Sequence, residues 1–385
     1  MSIFHTSHIE ISRSALAHNL AFLRQFLQPG VRLSSVIKGN AYGHGIELFA
    51  PLAESCGVRH FSVFSGDEAY RVLQARNEQT TILVMGQLDN AQLEWAIEHE
   101  IEFFVFELDR LETAAAIAKR MNRTARIHLE VETGMNRTGF SPTLLRRAAN
   151  LLKSNKEHLE FKGLCTHFAG AESIANYYRI KKQQQVYSRA LNKLAGFGLY
   201  PQLQHIACSA ASIRYPKTQL DMVRIGILQY GFFPSRETLV DYLTKRKEPF
   251  DPLRRLISWK SKVMDVKPVK TGEFVGYGTS FMANSDMQIA IVPIGYSHGY
   301  SRGLSNQGRV LIHGQRVNVV GTVNMNMLSV DISNLEGVKK GDEVVLIGQQ
   351  GEQEISVSSF GEYSDQINYE LLTRLPADIP RKVIP

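Results

Sequence analysis

The sequence predicts an α/β protein: an N-terminal (β/α)8 TIM-like barrel followed by a C-terminal, mostly β domain. Eight short apolar, β-branched runs separated mostly by helical patterns fill the first part of the chain, and beyond Gly231 the pattern changes to short strands with turn signals. The length of 385 residues exceeds the usual domain of about 100 to 200 residues, so two domains are expected.

Taken in order, residues 1–11 are expected to join the β domain. Leu16, Leu20, Leu23 and Leu27 then recur three or four apart, the stripe of a helix facing a core. The eight strand candidates are Leu33–Ile37, His60–Ser65, Thr81–Met85, Ile101–Phe106, Arg126–Val131, Lys162–His167, Leu203–Cys208 and Met222–Gly226. Spacings of roughly 20 to 40 residues suit a closed barrel over 12–235 better than an open doubly wound sheet. A dinucleotide-binding sheet would carry GxGxxG, which is absent. Pro234, Pro249 and Pro252 mark a polar linker. Over 236–385, turn signals at Lys270-Thr271-Gly272, His313-Gly314-Gln315 and Lys340-Gly341-Asp342 suggest hairpins, and a helix from Tyr363 to Arg374 closes the chain.

Composition narrows the partners. With 44% hydrophobic and 21% charged residues the chain is globular rather than disordered, and it has no apolar stretch long enough to span a membrane. A net charge of +7, spread out except for short clusters such as Lys181-Lys182 and Lys245-Arg246-Lys247, favours small anionic ligands over nucleic acid. Three cysteines, Cys56, Cys165 and Cys208, fit neither a metal spacing nor a disulfide framework, and no signal peptide is visible. A reducing cytoplasm is therefore expected.

The densest chemical signal is Val36-Ile37-Lys38-Gly39-Asn40-Ala41-Tyr42-Gly43-His44-Gly45. It puts Lys38 at the C-terminal end of the first strand, where barrel enzymes carry their catalytic groups. Such a lysine, if buried, is a Schiff-base candidate; taken alone it also reads as a solvated loop residue. The loops after the seventh and eighth strands often hold phosphate. Here Ser209 opens a Ser-Ala-Ala-Ser segment and Gly226-Ile227 lets backbone approach closely. Other strand ends offer Arg137, His167 and Arg224, each of which alone also suits an ordinary rim residue. No histidine spacing indicates a metal site.

The Lys38 segment closely resembles the cofactor-lysine motif of the alanine racemases, fold-type III enzymes that use pyridoxal 5'-phosphate, and the likeness continues at matching intervals through nearly the whole chain. The resemblance implies that Lys38 carries the cofactor and is one of two proton-transfer bases. It adds Tyr42 and Tyr369, the latter in Ile367-Asn368-Tyr369-Glu370, as phosphate-binding hydroxyls beside Ser209, Gly226 and Ile227. Arg224 in Val223-Arg224-Ile225-Gly226 would face the pyridine nitrogen, and His167 in Cys165-Thr166-His167-Phe168 would lie beside the ring. Arg137, in Gly134-Met135-Asn136-Arg137-Thr138-Gly139, would anchor the substrate carboxylate with its planar fork. Tyr277, in Val275-Gly276-Tyr277-Gly278-Thr279, would be the second base and Met325 a neighbour at the substrate, both supplied by the other subunit of a homodimer. The implied activity is interconversion of L- and D-alanine, which in bacteria feeds peptidoglycan.

The chain also departs from the family pattern. Glu130 stands where a lysine, often carbamylated, is usual; Cys208 replaces an asparagine; Asn324-Met325-Asn326 replaces Cys-Met-Asp; Gly170 and Thr322 replace an alanine and an arginine, while Tyr296 and Arg302 remain. Glu130 is expected to hold Arg137 through a charge-assisted hydrogen bond, directly or through water. Gly170 and Thr322 are expected to make a roomier, less cationic entrance, which opens the alternative of a serine or broader-specificity racemase. Two further alternatives are a fold-type III decarboxylase, against which Arg224 argues, and a non-catalytic barrel that binds the same cofactor, which would end near residue 235.

Overall fold

The computed structural model describes residues 5–245, 250–364 and 368–385. Two compact units divide the chain. One comprises Ala15–Ala41 and Phe49–Arg254; the other comprises residues up to Ser14, Tyr42–Leu48 and Arg255–Pro385.

The first unit is the barrel. Its strands are β1 (Arg32–Val36), β2 (His60–Val63), β3 (Thr81–Val84), β4 (Glu102–Val105), β5 (Ala125–Glu130), β6 (Leu159–Cys165), β7 (Leu203–His205) and β8 (Met222–Ile225). They pair in parallel in the order β7-β6-β5-β4-β3-β2-β1-β8. The ring closes between β7 and β8, where the amides of Asp221 and Arg224 donate to the carbonyls of Gln204 and Ala207 at 3.1 and 3.0 Å. Helices cover the outside, so most strand residues are buried, apolar ones such as Phe61, Leu83 and Phe103 beside polar ones such as Ser34, His60 and His128. Leu16, Leu20 and Leu23 of the helix Arg13–Phe26 are fully buried.

Several strands end a residue or more before their sequence limits because the next residues start a helix. Ser65, for instance, accepts the Glu68 amide at 3.2 Å and caps the helix Gly66–Ala75. The expected linker is partly helical. Ser235 caps Arg236–Leu243, and Tyr242 packs edge-on against Phe22, ring centroids 5.8 Å apart. Residues 246–249, including Arg246, Lys247 and Pro249, lie outside the described residues.

The second unit is a ten-stranded, mostly antiparallel sheet. The strand Ser7–Ser12 lies inside it, antiparallel to Ile257–Lys262 and parallel to Arg381–Ile384. His313 and Gly314, with φ of 50° and 73°, form the two-residue turn between Arg309–Ile312 and Gln315–Val320. This is the primed turn that matches strand twist. Near the C-terminus, helices span Val357–Ser364 and Asn368–Arg374; residues 365–367 of the expected single helix lie outside the described residues. Gly43 packs so tightly on the second helix that a Cβ there would lie 1.9 Å from the Leu372 carbonyl oxygen. Among the described residues no helix is long and apolar enough to cross a membrane.

Candidate active site

Lys38 follows β1 after Ile37 and is the last residue with ordinary backbone before an uncommon turn. Gly39, Asn40, Ala41 and Tyr42 have φ of 62°, 55°, 53° and 51°. A left-handed turn disfavours residues with a Cβ by roughly 1 to 2 kcal/mol each, so something must hold it. Glu68 does: its carboxylate accepts the amides of Gly39 at 2.6 Å, Asn40 at 3.3 Å and Phe64 at 2.9 Å. Arg71 adds a bond to the Asn40 side-chain oxygen at 2.6 Å. Neither Glu68 nor Arg71 carries a motif that marks it in sequence. The Lys38 side chain is open to water rather than buried, yet enough protein surrounds it that desolvation, followed by the charge of Arg137, lowers its pKa. Glu68 opposes this and Arg224 reinforces it.

The loop after β5 presents Arg137 at the surface. Glu132 organises it, its carboxylate accepting the amides of Gly134, Met135 at 2.8 Å and Arg137 at 3.2 Å. Gly139 closes the loop against backbone; a Cβ there would lie 2.5 Å from the Glu132 nitrogen. Buried Gln183 ties this loop to the one after β6, donating to Thr133 Oγ1 and the His167 carbonyl, each at 3.0 Å. Glu130, expected to hold Arg137 directly or through water, makes no direct hydrogen bond to it: its carboxyl is buried, with Arg224 and Arg137 acting on it as nearby charges. Burial raises its pKa. Beside Gly170, the Asn176 side chain occupies the space a Cβ would take.

At the ends of β6, β7 and β8 the remaining barrel candidates come together. Burial, with Arg224 and Arg137 next, lowers the His167 pKa to about 3, so the ring is neutral at physiological pH. Ser209 Oγ accepts the Gly226 amide at 3.0 Å, joining the loops after β7 and β8, and Ile227 begins the short helix Ile227–Tyr230. Arg224 is buried. Its Nη1 donates to His205 Nδ1 at 2.5 Å and to the His205 carbonyl at 2.7 Å, and its Nη2 to the Thr166 carbonyl at 2.8 Å. A guanidinium has five N–H donors, so part of this fork is left for a ligand.

In the β unit, Tyr42 and Tyr369 face each other with ring centroids 5.9 Å apart. Tyr277 is 76% exposed and flanked by Gly276 and Gly278, both at positive φ, so it is a displayed side chain and not a packed strand tyrosine. Thr322 steadies that turn, its hydroxyl 3.0 Å from Ser280 Oγ and 3.4 Å from the Tyr277 carbonyl. Met325 is 55% exposed, and its carbonyl accepts both the amide and the hydroxyl of Ser297.

A strand-end lysine with a destabilised ammonium, grouped with two arginines on a closed barrel and joined in sequence to a β module, defines a class of two-domain barrel enzymes. Two family profiles match: "Alanine racemase, N-terminal domain" over residues 11–234 and "Alanine racemase, C-terminal domain" over 256–383. The alanine racemase of Leptospira interrogans is 32% identical over 99% of this chain and 96% of its own length; that of Desulforamulus reducens is 34% identical over 97% and 98%. Among solved structures, alanine racemase from D-cycloserine-producing Streptomyces lavendulae superposes with a TM-score of 0.91 at 28% identity, covering 100% of this chain and 98% of that one. The Clostridium difficile enzyme gives 0.90 at 30% identity, covering 100% and 97%. The chain belongs to the alanine racemase family and is an isomerase.

Proposed function

We propose that the protein interconverts L- and D-alanine using pyridoxal 5'-phosphate, with Lys38 and Tyr277 as the two proton carriers. The observation that carries this reading is Lys38 itself: an amine whose ammonium is destabilised by the protein packed around it and by the charge of Arg137, at the strand end where barrels do chemistry. The donor set suits the cofactor, with an amine for its aldehyde, Ser209, Gly226 and Ile227 on the phosphate-type loops, and uncommitted Arg224 N–H groups for its ring. Tyr42 and Tyr369 are assigned to the phosphate and His167 to the ring side by the resemblance. When bound, the cofactor supplies an electron sink that acidifies the substrate Cα–H.

The rest is the work of this chain. Arg137 binds and orients the substrate carboxylate with a fork that suits it better than lysine would. Lys38 Nζ takes or returns the Cα proton on one face, aided by its lowered pKa. The Tyr277 hydroxyl serves the opposite face, because inversion needs removal on one side and delivery on the other. Its exposure supports a role in another copy of the chain, with Met325 beside it. Arg224 cannot readily lend a proton, so it withholds protonation from the ring nitrogen and favours return of the proton to Cα over transamination. The protein is assigned to the cytoplasm, where its three free thiols suit a reducing medium, and its D-alanine to peptidoglycan.

Purified protein incubated with L-alanine in heavy water should yield D-alanine deuterated at Cα by chiral chromatography; undeuterated or absent D-alanine defeats the reading. Lys38→Ala should abolish both the visible absorption of the bound cofactor and turnover. A serine or broader-specificity racemase is the alternative that the changes at Gly170 and Thr322 suggest. It is removed if kcat/KM for alanine exceeds that for every other amino acid by more than about a thousandfold.

A further inference from the structure

Behind Arg224 the barrel interior holds a row of polar side chains, His205, His128 and Glu102, that the proposed chemistry does not use. Arg224 Nη1 donates to His205 Nδ1 at 2.5 Å; His205 Nε2 lies 2.8 Å from His128 Nδ1, and His128 Nε2 lies 2.9 Å from Glu102 Oε2. All four residues are buried. They sit on β8, β7, β5 and β4, so the row crosses the barrel. Phe104 packs against it, 5.8 Å from the Arg224 guanidinium and from the His205 ring, and 6.2 Å from the His128 ring.

Hydrogen-bond chemistry gives the row a single direction. A guanidinium only donates, so His205 Nδ1 must accept and its proton must lie on Nε2. That proton points at His128 Nδ1, which must in turn accept, leaving the His128 proton on Nε2, directed at the carboxylate. Both rings are then neutral, in agreement with burial lowering the pKa of each and with Glu102 being held ionised by His128 and His60. At its far end Glu102 also meets His60 Nε2 at 3.6 Å and Lys162 Nζ at 3.9 Å.

We propose that Glu102 is a positioning residue for the reaction, the remote counter-ion of Arg224, acting through His128 and His205 to orient the guanidinium while its own carboxylate stays two imidazole rings away from the cofactor. The reason for the distance is chemical. A carboxylate paired directly with Arg224 would place a proton acceptor and a negative charge close to the pyridine nitrogen and favour its protonation. Neutral imidazoles transmit orientation without bringing that charge near.

This inference rests on the proposed function, and its test has a part independent of turnover. Nitrogen-15 NMR of the loaded wild-type enzyme should find His128 and His205 neutral with the proton on Nε2 from pH 6 to 9. A proton on Nδ1 of either ring, or an imidazolium at neutral pH, overturns the row, whether or not alanine is racemised and whether or not any variant folds. Glu102→Gln keeps an acceptor for His128 but removes the charge; Glu102→Leu removes both. The expected result is a graded fall in kcat, about tenfold or more for Glu102→Leu, with KM for alanine within about threefold. A larger share of turnovers should also end with the cofactor released as its amine form. If both variants fold with unchanged kcat and unchanged partition between racemisation and transamination, Glu102 has no such role.

Discussion

Glu68 and Glu130 show how little a residue's identity says about its task. Each is a carboxylate near a strand end, yet Glu68 collects three backbone amides and fixes the turn after Lys38, while Glu130 is buried and takes no direct bond from Arg137. Charged hydrogen bonds to backbone are worth about 1.5 to 3 kcal/mol, so Glu68→Ala should lower unfolding stability by an amount in that range in urea titration, and Glu68→Gln, which keeps an acceptor, by less. For Glu130 the sign reverses. Burial raises its pKa, so as pH rises from the free carboxylate value of about 4.3 through the folded-state value, the folded protein holds a proton that the unfolded chain has lost. Stability therefore falls across that window. Glu130→Gln should melt higher than wild type at pH 8 and match it at pH 4; a lower melting temperature at pH 8 would show that the carboxylate is stabilising.

Among the elements, the barrel strands were legible in sequence because each lies in a short stretch with apolar, mostly buried residues, set off from its neighbours by helical patterns. The turn at Gly39–Tyr42 was not. Asn tolerates left-handed backbone but Ala and Tyr do not favour it, and the carboxylate that imposes it comes from a helix starting near residue 66. The row from Glu102 to Arg224 was hidden for a related reason: single polar residues on four strands create no period, and only barrel closure brings them together. That arrangement has a stability consequence. His128, His167 and His205 are held neutral, with His167 at about 3, whereas an unfolded histidine titrates near about 6.5. Below that value the unfolded chain binds protons the folded one refuses, so stability drops on acidification by up to ~1.4 kcal/mol per pH unit for each ring. Urea midpoints measured at pH 7.5, 6 and 5 should fall in that order, and His167→Gln should flatten the slope.

At the scale of the whole molecule, the two functional ends were legible but their chain of origin was not, since nothing in a sequence says which copy of a residue completes a site. Tyr277 and Met325 are displayed on the β unit by local turns, and Lys38 is fixed on the barrel unit by Glu68. If each site in a two-fold dimer takes Lys38 from one chain and Tyr277 from the other, defects in the two residues can be separated by mixing. In a mixed dimer of Lys38→Ala and Tyr277→Phe chains, one site inherits both lesions and the other inherits neither. Random reassociation makes half of the dimers mixed, each with one intact site of two, so activity should recover to about one quarter of wild type from two nearly inactive parents. Co-refolded variants assayed by chiral chromatography decide the matter. No recovery, with mixed dimers verified by differential tagging, would place Tyr277 in the same chain as the Lys38 it serves.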